Sequence, residues 1–190
     1  MPKTPKYQDL TKFRVSRGFR GRNGMVVQLW WLCQATLFAL SPQPFYGWRA
    51  ALLRLFGAQV GQNVKIRQSA RFTYPWKVKI GDHSWIGDRA ELYSLVEIEI
   101  GAHCCISQDC YISTSGHDYR KLSFDYTPAK VVIDDEVWLA SGVFVFPGCQ
   151  IGQGAVVGAR SLVTRDVDEA TIVAGTPARP IGKRELNNAE

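Results

Sequence analysis

The sequence predicts a mainly β protein built as a parallel β-helix. Two observations carry that prediction. Residues 133–168 divide into six consecutive hexads opened by Ile133, Leu139, Val145, Ile151, Val157 and Val163, every one aliphatic. Their fifth positions, Val137, Val143, Cys149, Ala155, Ser161 and Val167, are all small or compact. An amphipathic helix repeats at three and four residues, and a half-buried strand at two. A period of six suits short strands wrapped round a prism, with each hexad making one side.

The rest of the chain is placed relative to that run. Residues 1–24 are polar and punctuated by Gly18, Gly21 and Gly24, so they are expected to lack regular structure. Met25–Leu40 reads as a helix stopped by Ser41-Pro42-Gln43-Pro44, because proline has no backbone donor and restricts the residue before it. Phe45–Phe56 reads as a second helix ended by Gly57. Hexads start at Val60-Gly61 and Ile66, break at Arg71–Lys77, and resume at Ile80, Ile86 and Leu92. A two-residue slip precedes Ile100, Ile106 and Ile112. Residues 113–132 abandon the pattern and form a long loop, and loops of that length in compact folds are usually functional or disordered. The expected divisions are a basic arm (1–24), aromatic-rich helices (25–58), the β-helix (59–184) and a tail (185–190).

Composition fits one globular domain with an appendage: 190 residues, 46% hydrophobic and 21% charged. Of 23 basic and 17 acidic side chains, residues 1–24 hold seven and one, leaving 16 of each elsewhere. The net charge of +6 therefore belongs to the arm. Such an arm is either solvated or meets acidic lipid or another polyanion. The helices carry Trp30, Trp31, Phe38, Phe45, Tyr46 and Trp48. They either cap the open end of the solenoid or lie at a membrane surface beside the arm. No nucleic-acid recognition motif follows the arm.

Five cysteines with no C-x-x-C pair point to a reducing, cytoplasmic setting. Cys104, Cys110 and Cys149 occupy fifth positions and are expected to fill the core. No signal peptide is evident, and the apolar run Met25–Leu40 falls short of the roughly 20 residues that span a bilayer.

His117 is the leading candidate for chemistry, lying on the long loop between Gly116 and Asp118. Imidazole changes charge near neutral pH, which suits removal of a proton from an attacking hydroxyl. Asp118 could orient that ring or serve only the turn. His83 and His103 sit one coil apart and could stack at a metal, or be solvated histidines; no metal is expected.

The hexads, Ser115-Gly116-His117-Asp118, Val137-Trp138-Leu139-Ala140-Ser141 and Ala174-Gly175-Thr176-Pro177-Ala178-Arg179 resemble the hexapeptide-repeat acyltransferases. Within them, Phe72-Thr73-Tyr74-Pro75-Trp76-Lys77 and Ile106-Ser107-Gln108 are similar to the colanic-acid-type exopolysaccharide O-acetyltransferases. The resemblance implies a left-handed β-helix, a homotrimer, acetyl-CoA as donor, and a sugar or lipid-linked oligosaccharide as acceptor. It implies His117 as general base, with direct attack and no covalent enzyme intermediate. The backbone N–H of Ser141 would meet the acyl carbonyl, where oxyanion stabilisation needs a fixed donor. Trp138 would line the acceptor or pantetheine slot. Glu91 and Tyr93, on an earlier coil, are acceptor-binding candidates, with Asp88 a further acid. Ala159, Thr164 and Arg165 would contact the coenzyme, and Arg179, with Lys183 or Arg184, could pair with its phosphates. Two positions depart from the sugar acetyltransferase pattern: Gly87 and Leu95 stand where an asparagine and an aspartate help hold the acceptor. Alternative readings are an acetyltransferase for a small soluble acceptor, and a scaffold or metal-dependent hydratase. The expected location is cytoplasmic, with possible peripheral contact at the membrane's inner face.

Overall fold

The computed structural model describes residues 6–185. From Gln59 the chain winds round a three-sided prism. Face A stacks the parallel strands Gln59–Val60, Val78–Ile80, Ile98–Ile100, Val131–Ile133 and Gln150–Ile151. Face B stacks Lys65–Ile66, Trp85–Ile86, Cys105–Ile106, Trp138–Leu139, Val156–Val157 and Thr171–Gly175. Face C stacks Arg71–Phe72, Glu91–Tyr93, Tyr111–Ser113, Phe144–Val145 and Leu162–Val163. The hexad-opening residues form one inward column per face. Ile66, Ile86, Ile106, Leu139 and Val157 make that of face B, each with 0% of its surface exposed. Burying such a side chain contributes roughly 1.5–3 kcal/mol.

Corner chemistry explains the rest of the hexad. A Cβ on Gly81 would lie 2.5 Å from the Ala102 nitrogen of the next coil, so only glycine lets the coils close up there. Cys104, Cys110 and Cys149 are buried as expected, with the Cys104 Sγ 3.0 Å from the Asp134 carbonyl oxygen. His83 and His103 occupy left-handed corner positions (φ 60° and 56°) and stack at 4.9 Å. Among the described residues, no group of three or more potential ligands is placed to hold a metal.

The last hexad is shorter than the periodicity predicts. Val167 bridges Ile151 on face A, four residues after the inward Val163 instead of six. The tightened corner leads into Thr171–Gly175, which turns back as the antiparallel strand Ala178–Lys183.

The first helix, α1 (Gly24–Cys33), is capped by Asn23 and runs on as a π turn over Gln34–Phe38; the second, α2, spans Tyr46–Leu55. They close the N-terminal end of the prism. Trp30 and Phe38 are fully buried, and the Trp30 indole donates to the Phe72 carbonyl at 2.8 Å. Arg49 is 0% exposed and ties α2 to the first coil. Its Nε donates to Ile66 O (2.6 Å), Nη1 to Ser41 Oγ (2.8 Å) and Pro42 O (2.9 Å), and Nη2 to Gln43 O (2.6 Å).

Two expectations need correction. Residues 113–132 are not wholly irregular: Ser115–His117 pairs antiparallel with Tyr126–Pro128. The arm is not a free tail over its described part. It forms a 3-10 turn at Leu10–Lys12 and lies against that hairpin, with the Asp9 N–H donating to Leu122 O at 2.7 Å. Residues 1–5, and the tail beyond Glu185, lie outside the described residues.

Candidate active site

The hairpin leaves the prism after the face C strand Tyr111–Ser113 and returns at the face A strand Val131–Ile133, so it stands on the edge between those faces. The two breaks in the hexad rhythm build its seat. The first extra stretch, Thr73–Lys77, and the second, Ser94–Glu97, bulge at the same edge. There Tyr74, Leu95 and Val27 form a small buried cluster, joined by Phe19, Trp76, Tyr93 and Tyr126. The register slips therefore hold up the loop that carries His117.

His117 sits opposite Tyr126 in the hairpin register. Its Nδ1 lies 2.7 Å from the Phe124 carbonyl oxygen. A carbonyl only accepts, so Nδ1 carries the proton, and a neutral ring keeps its lone pair on Nε2. The Phe124 ring lies flat on the imidazole (4.2 Å, 8°), and Tyr126 packs against it at 4.7 Å. This arrangement offers an oriented base at Nε2.

Asp118 does not orient that ring in this structure. Its carboxylate accepts from the Arg120 N–H at 3.1 Å and faces the Arg120 Nε at 3.3 Å. These contacts hold its carboxyl below the usual aspartate range. The turn takes Asp118, and the Phe124 carbonyl takes the orienting place.

Tyr93 lies next to this cage. Burial, with Tyr126 beside it, pushes its phenol up to about 12, so it stays a neutral hydrogen-bonding group at neutral pH. Glu91 shares the strand but faces a cleft of about 740 Å³ beneath α1, lined by Trp31, Gln34, Ser69, Arg71 and Arg89. Asp88 is occupied by the Arg67 Nε (2.7 Å) and the Ser69 hydroxyl (2.8 Å).

The remaining candidates lie elsewhere on the prism. Trp138 is on face B, 47% exposed, its indole N–H donating to Ser107 Oγ at 3.0 Å. Ser141 holds the corner between faces B and C, and its carbonyl accepts from the Arg160 N–H at 2.8 Å. Its own N–H has no partner among the described residues. Ala159 lies on the same corner one coil further on. Thr164, Arg165 and Arg179 line a cavity of about 170 Å³ at the open C-terminal end. Lys183 donates to the hydroxyl of Thr171, another lining residue, at 2.7 Å. Since face B is opposite the edge between faces C and A, one chain does not bring His117 and Trp138 together.

Both departures from the sugar-binding pattern have packing causes. A Cβ on Gly87 would meet the Gln108 nitrogen at 2.6 Å. Leu95 is 4% exposed and belongs to the hydrophobic seat of the hairpin.

Sequence reasoning missed Phe124 and Tyr126. The available signal was the alternation Phe124-x-Tyr126 facing Ser115-x-His117, a period of two hidden by attention to the period of six.

No protein-family model matches the chain. A protein of Escherichia coli (strain K12) named as a colanic acid biosynthesis acetyltransferase, WcaF, is 52% identical over 177 residues, 93% of this chain and 97% of that one. A galactoside O-acetyltransferase of Lactococcus lactis is 32% identical over 144 residues, 73% of this chain and 68% of its own. Among solved structures, a hexapeptide-repeat containing acetyltransferase from Vibrio cholerae matches with a TM-score of 0.79 and 25% identity, covering 93% of this chain and 98% of that one. The same Vibrio protein has also been solved in complex with acetyl coenzyme A.

Proposed function

The chain belongs to the hexapeptide-repeat acetyltransferases, which fold as left-handed parallel β-helices, and on that premise we propose that it transfers acetyl from acetyl-CoA to a sugar hydroxyl of an exopolysaccharide or its lipid-linked precursor. The observation that carries the chemistry is the 2.7 Å contact between His117 Nδ1 and the Phe124 carbonyl oxygen, which leaves Nε2 free to act as the base. Nε2 takes the proton of the acceptor hydroxyl as its oxygen attacks the thioester carbonyl. The Ser141 N–H faces the resulting oxyanion. Collapse of the tetrahedral adduct breaks the carbon–sulfur bond, and the imidazolium returns the proton to the departing thiolate. No acyl-enzyme forms. The sugar polymer as acceptor class is supported by the named activity of the WcaF relative.

The separation of His117 from Trp138 supports a site shared between copies of the chain. In a cyclic trimer, the hairpin edge of one subunit would meet Trp138 of the partner subunit. The groove between them would run past Ser141 and Ala159 to Arg165 and Arg179, whose guanidinium groups suit coenzyme phosphates. Tyr93 would meet the acceptor beside His117, and Glu91 would do so only where the acceptor extends into the cleft beneath α1.

No helix among the described residues is long and apolar enough to cross a membrane. The outward side of α1 and its continuation exposes Met25, Leu29, Leu32, Leu37 and Leu40, close in sequence to Arg14, Arg17, Arg20 and Arg22. That pairing of apolar and basic surface supports peripheral contact with anionic lipid, where a lipid-linked acceptor would be found.

The test is acetylation of a panel comprising free sugars, oligosaccharides and lipid-linked oligosaccharide, followed by mass spectrometry. Acetylated oligosaccharide or lipid-linked product is expected. Exclusive modification of free monosaccharides or xenobiotics would overturn the acceptor class. Flotation with anionic vesicles tests the lipid contact: loss of binding in a Leu29→Asp, Leu32→Asp variant is expected, and equal recovery would remove it.

A further inference from the structure

We propose that residues 9–21 strap the hairpin and that Phe13 is a positioning residue for His117; the proposal rests on the reading of His117 as the base. The arm is tied down at both ends. At one end the Asp9 N–H donates to Leu122 O at 2.7 Å, within the hairpin loop. At the other, the Trp76 indole donates to Arg20 O (2.6 Å) and the Lys77 ammonium to Phe19 O (2.6 Å). Gly21 packs against Trp76, where a Cβ would lie 3.1 Å from the indole nitrogen. Trp76 and Lys77 belong to the first break in the hexads, so one inserted stretch seats the hairpin and anchors the strap.

Between the anchors, two aromatic side chains reach the site. Phe19 stacks on Tyr126 (5.2 Å, 1°). Phe13 meets Tyr126 edge-on (5.1 Å, 82°) and lies 5.8 Å from the His117 ring at 53°. The imidazole is thus enclosed by Phe124, Tyr126 and Phe13, and its Nδ1 is tied to the backbone. A two-stranded hairpin is at best marginally stable alone. Its seat supports Tyr126 from below, and the strap supplies the contact from outside. Phe13 and Phe19 are the half-buried aromatics of this cation-rich arm. The physical consequence is a narrower range of ring orientations for His117, and a misplacement of about 1 Å near a reacting centre can cost about 100-fold.

The experiment compares wild type, Phe13→Ala, Phe13→Tyr and His117→Asn by thiol release from acetyl-CoA, with the acceptor class found by the panel and, separately, with water. For Phe13→Ala, kcat is expected to fall about 2- to 10-fold, the worth of one aromatic contact, with the KM for acetyl-CoA unchanged, and Phe13→Tyr to recover most of it. Wild-type kcat in Phe13→Ala overturns the proposal. So does a raised coenzyme KM accompanied by a lowered Tm, which would mark general structural damage. Should Phe13→Ala not purify, Phe13→Leu keeps the apolar volume without the ring and the same readings apply. His117→Asn separates the two ideas. If it retains turnover, the base assignment itself fails. If it is inactive while Phe13→Ala is not impaired, only the strap fails.

Discussion

His117 Nδ1 and the Phe124 carbonyl oxygen stand 2.7 Å apart, while the Phe124 ring lies flat on the imidazole at 4.2 Å. One residue thus fixes both the tautomer and the plane of the proposed base. The backbone part of that device survives side-chain truncation. In Phe124→Ala, kcat is expected to fall only about 2- to 10-fold, the cost of one aromatic contact of ~0.5–1.5 kcal/mol. Steady-state kinetics checks this, and a loss as large as that of His117→Ala would show that the ring does more than stack.

Ser141 is proposed to act through its backbone N–H. Ser141→Ala keeps that N–H and should stay within about 2-fold of wild-type kcat. Removal of one oxyanion donor costs about 100- to 1,000-fold. A loss of that size in Ser141→Ala would transfer the role to the hydroxyl.

The proposed shared site has a stoichiometric signature. For the proposed trimer, His117→Ala and Trp138→Ala proteins, each expected to be inactive alone, are unfolded together and refolded as a mixture. If each site takes one residue from each of two neighbours, about a quarter of the sites regain both. Activity recovered near that fraction supports an intersubunit site. No recovery in mixed trimers would place both residues' action within one chain.

Arg49 is a stability residue far from the hairpin edge. All its nitrogens donate to carbonyl or hydroxyl groups at the base of the prism. Arg49→Leu would strand those neutral acceptors, at a cost of about 1–3 kcal/mol for each one left buried without a partner. Denaturant unfolding should show it as a lowered midpoint, whereas an unchanged midpoint would mean that water or relaxation replaces the guanidinium.

The thiols give a test of the core columns. Burial pushes Cys104, Cys110 and Cys149 from the ordinary 9.0 up to about 11. They stay protonated in the folded state well above pH 8. Their contribution to stability is full below about pH 9 and is lost as pH rises towards 11, because the unfolded chain ionises first. Native protein at pH 8 should expose mainly Cys105, the half-buried cysteine on face B, to a thiol reagent. All five should react after denaturation. Rapid native labelling of more than one would contradict the packing.

The prism was legible because its signal is local and repeated. Ile133 to Val163 state the period, and each break in it marks a corner with extra chain. The shortened corner before Val167 was not legible, because Val167 obeys the pattern of a fifth position while filling a first. His117 was legible as a lone histidine on the one long loop. What holds it was not, since Phe124, Tyr126 and Phe13 meet it only after the hairpin and the arm fold over the edge. A run of basic residues reads as solvated because charge dominates composition. Two phenylalanines spaced six apart within it carry the contacts that decide where it lies.

The most direct measurement is single-turnover acetyl transfer from acetyl-CoA by wild type and His117→Ala, with coenzyme affinity determined in parallel by calorimetry. The expected result is a fall in the transfer rate of about 100- to 10,000-fold, the usual worth of a positioned general base, at unchanged affinity. Transfer at the wild-type rate by the alanine variant would contradict the assignment of His117 as the base.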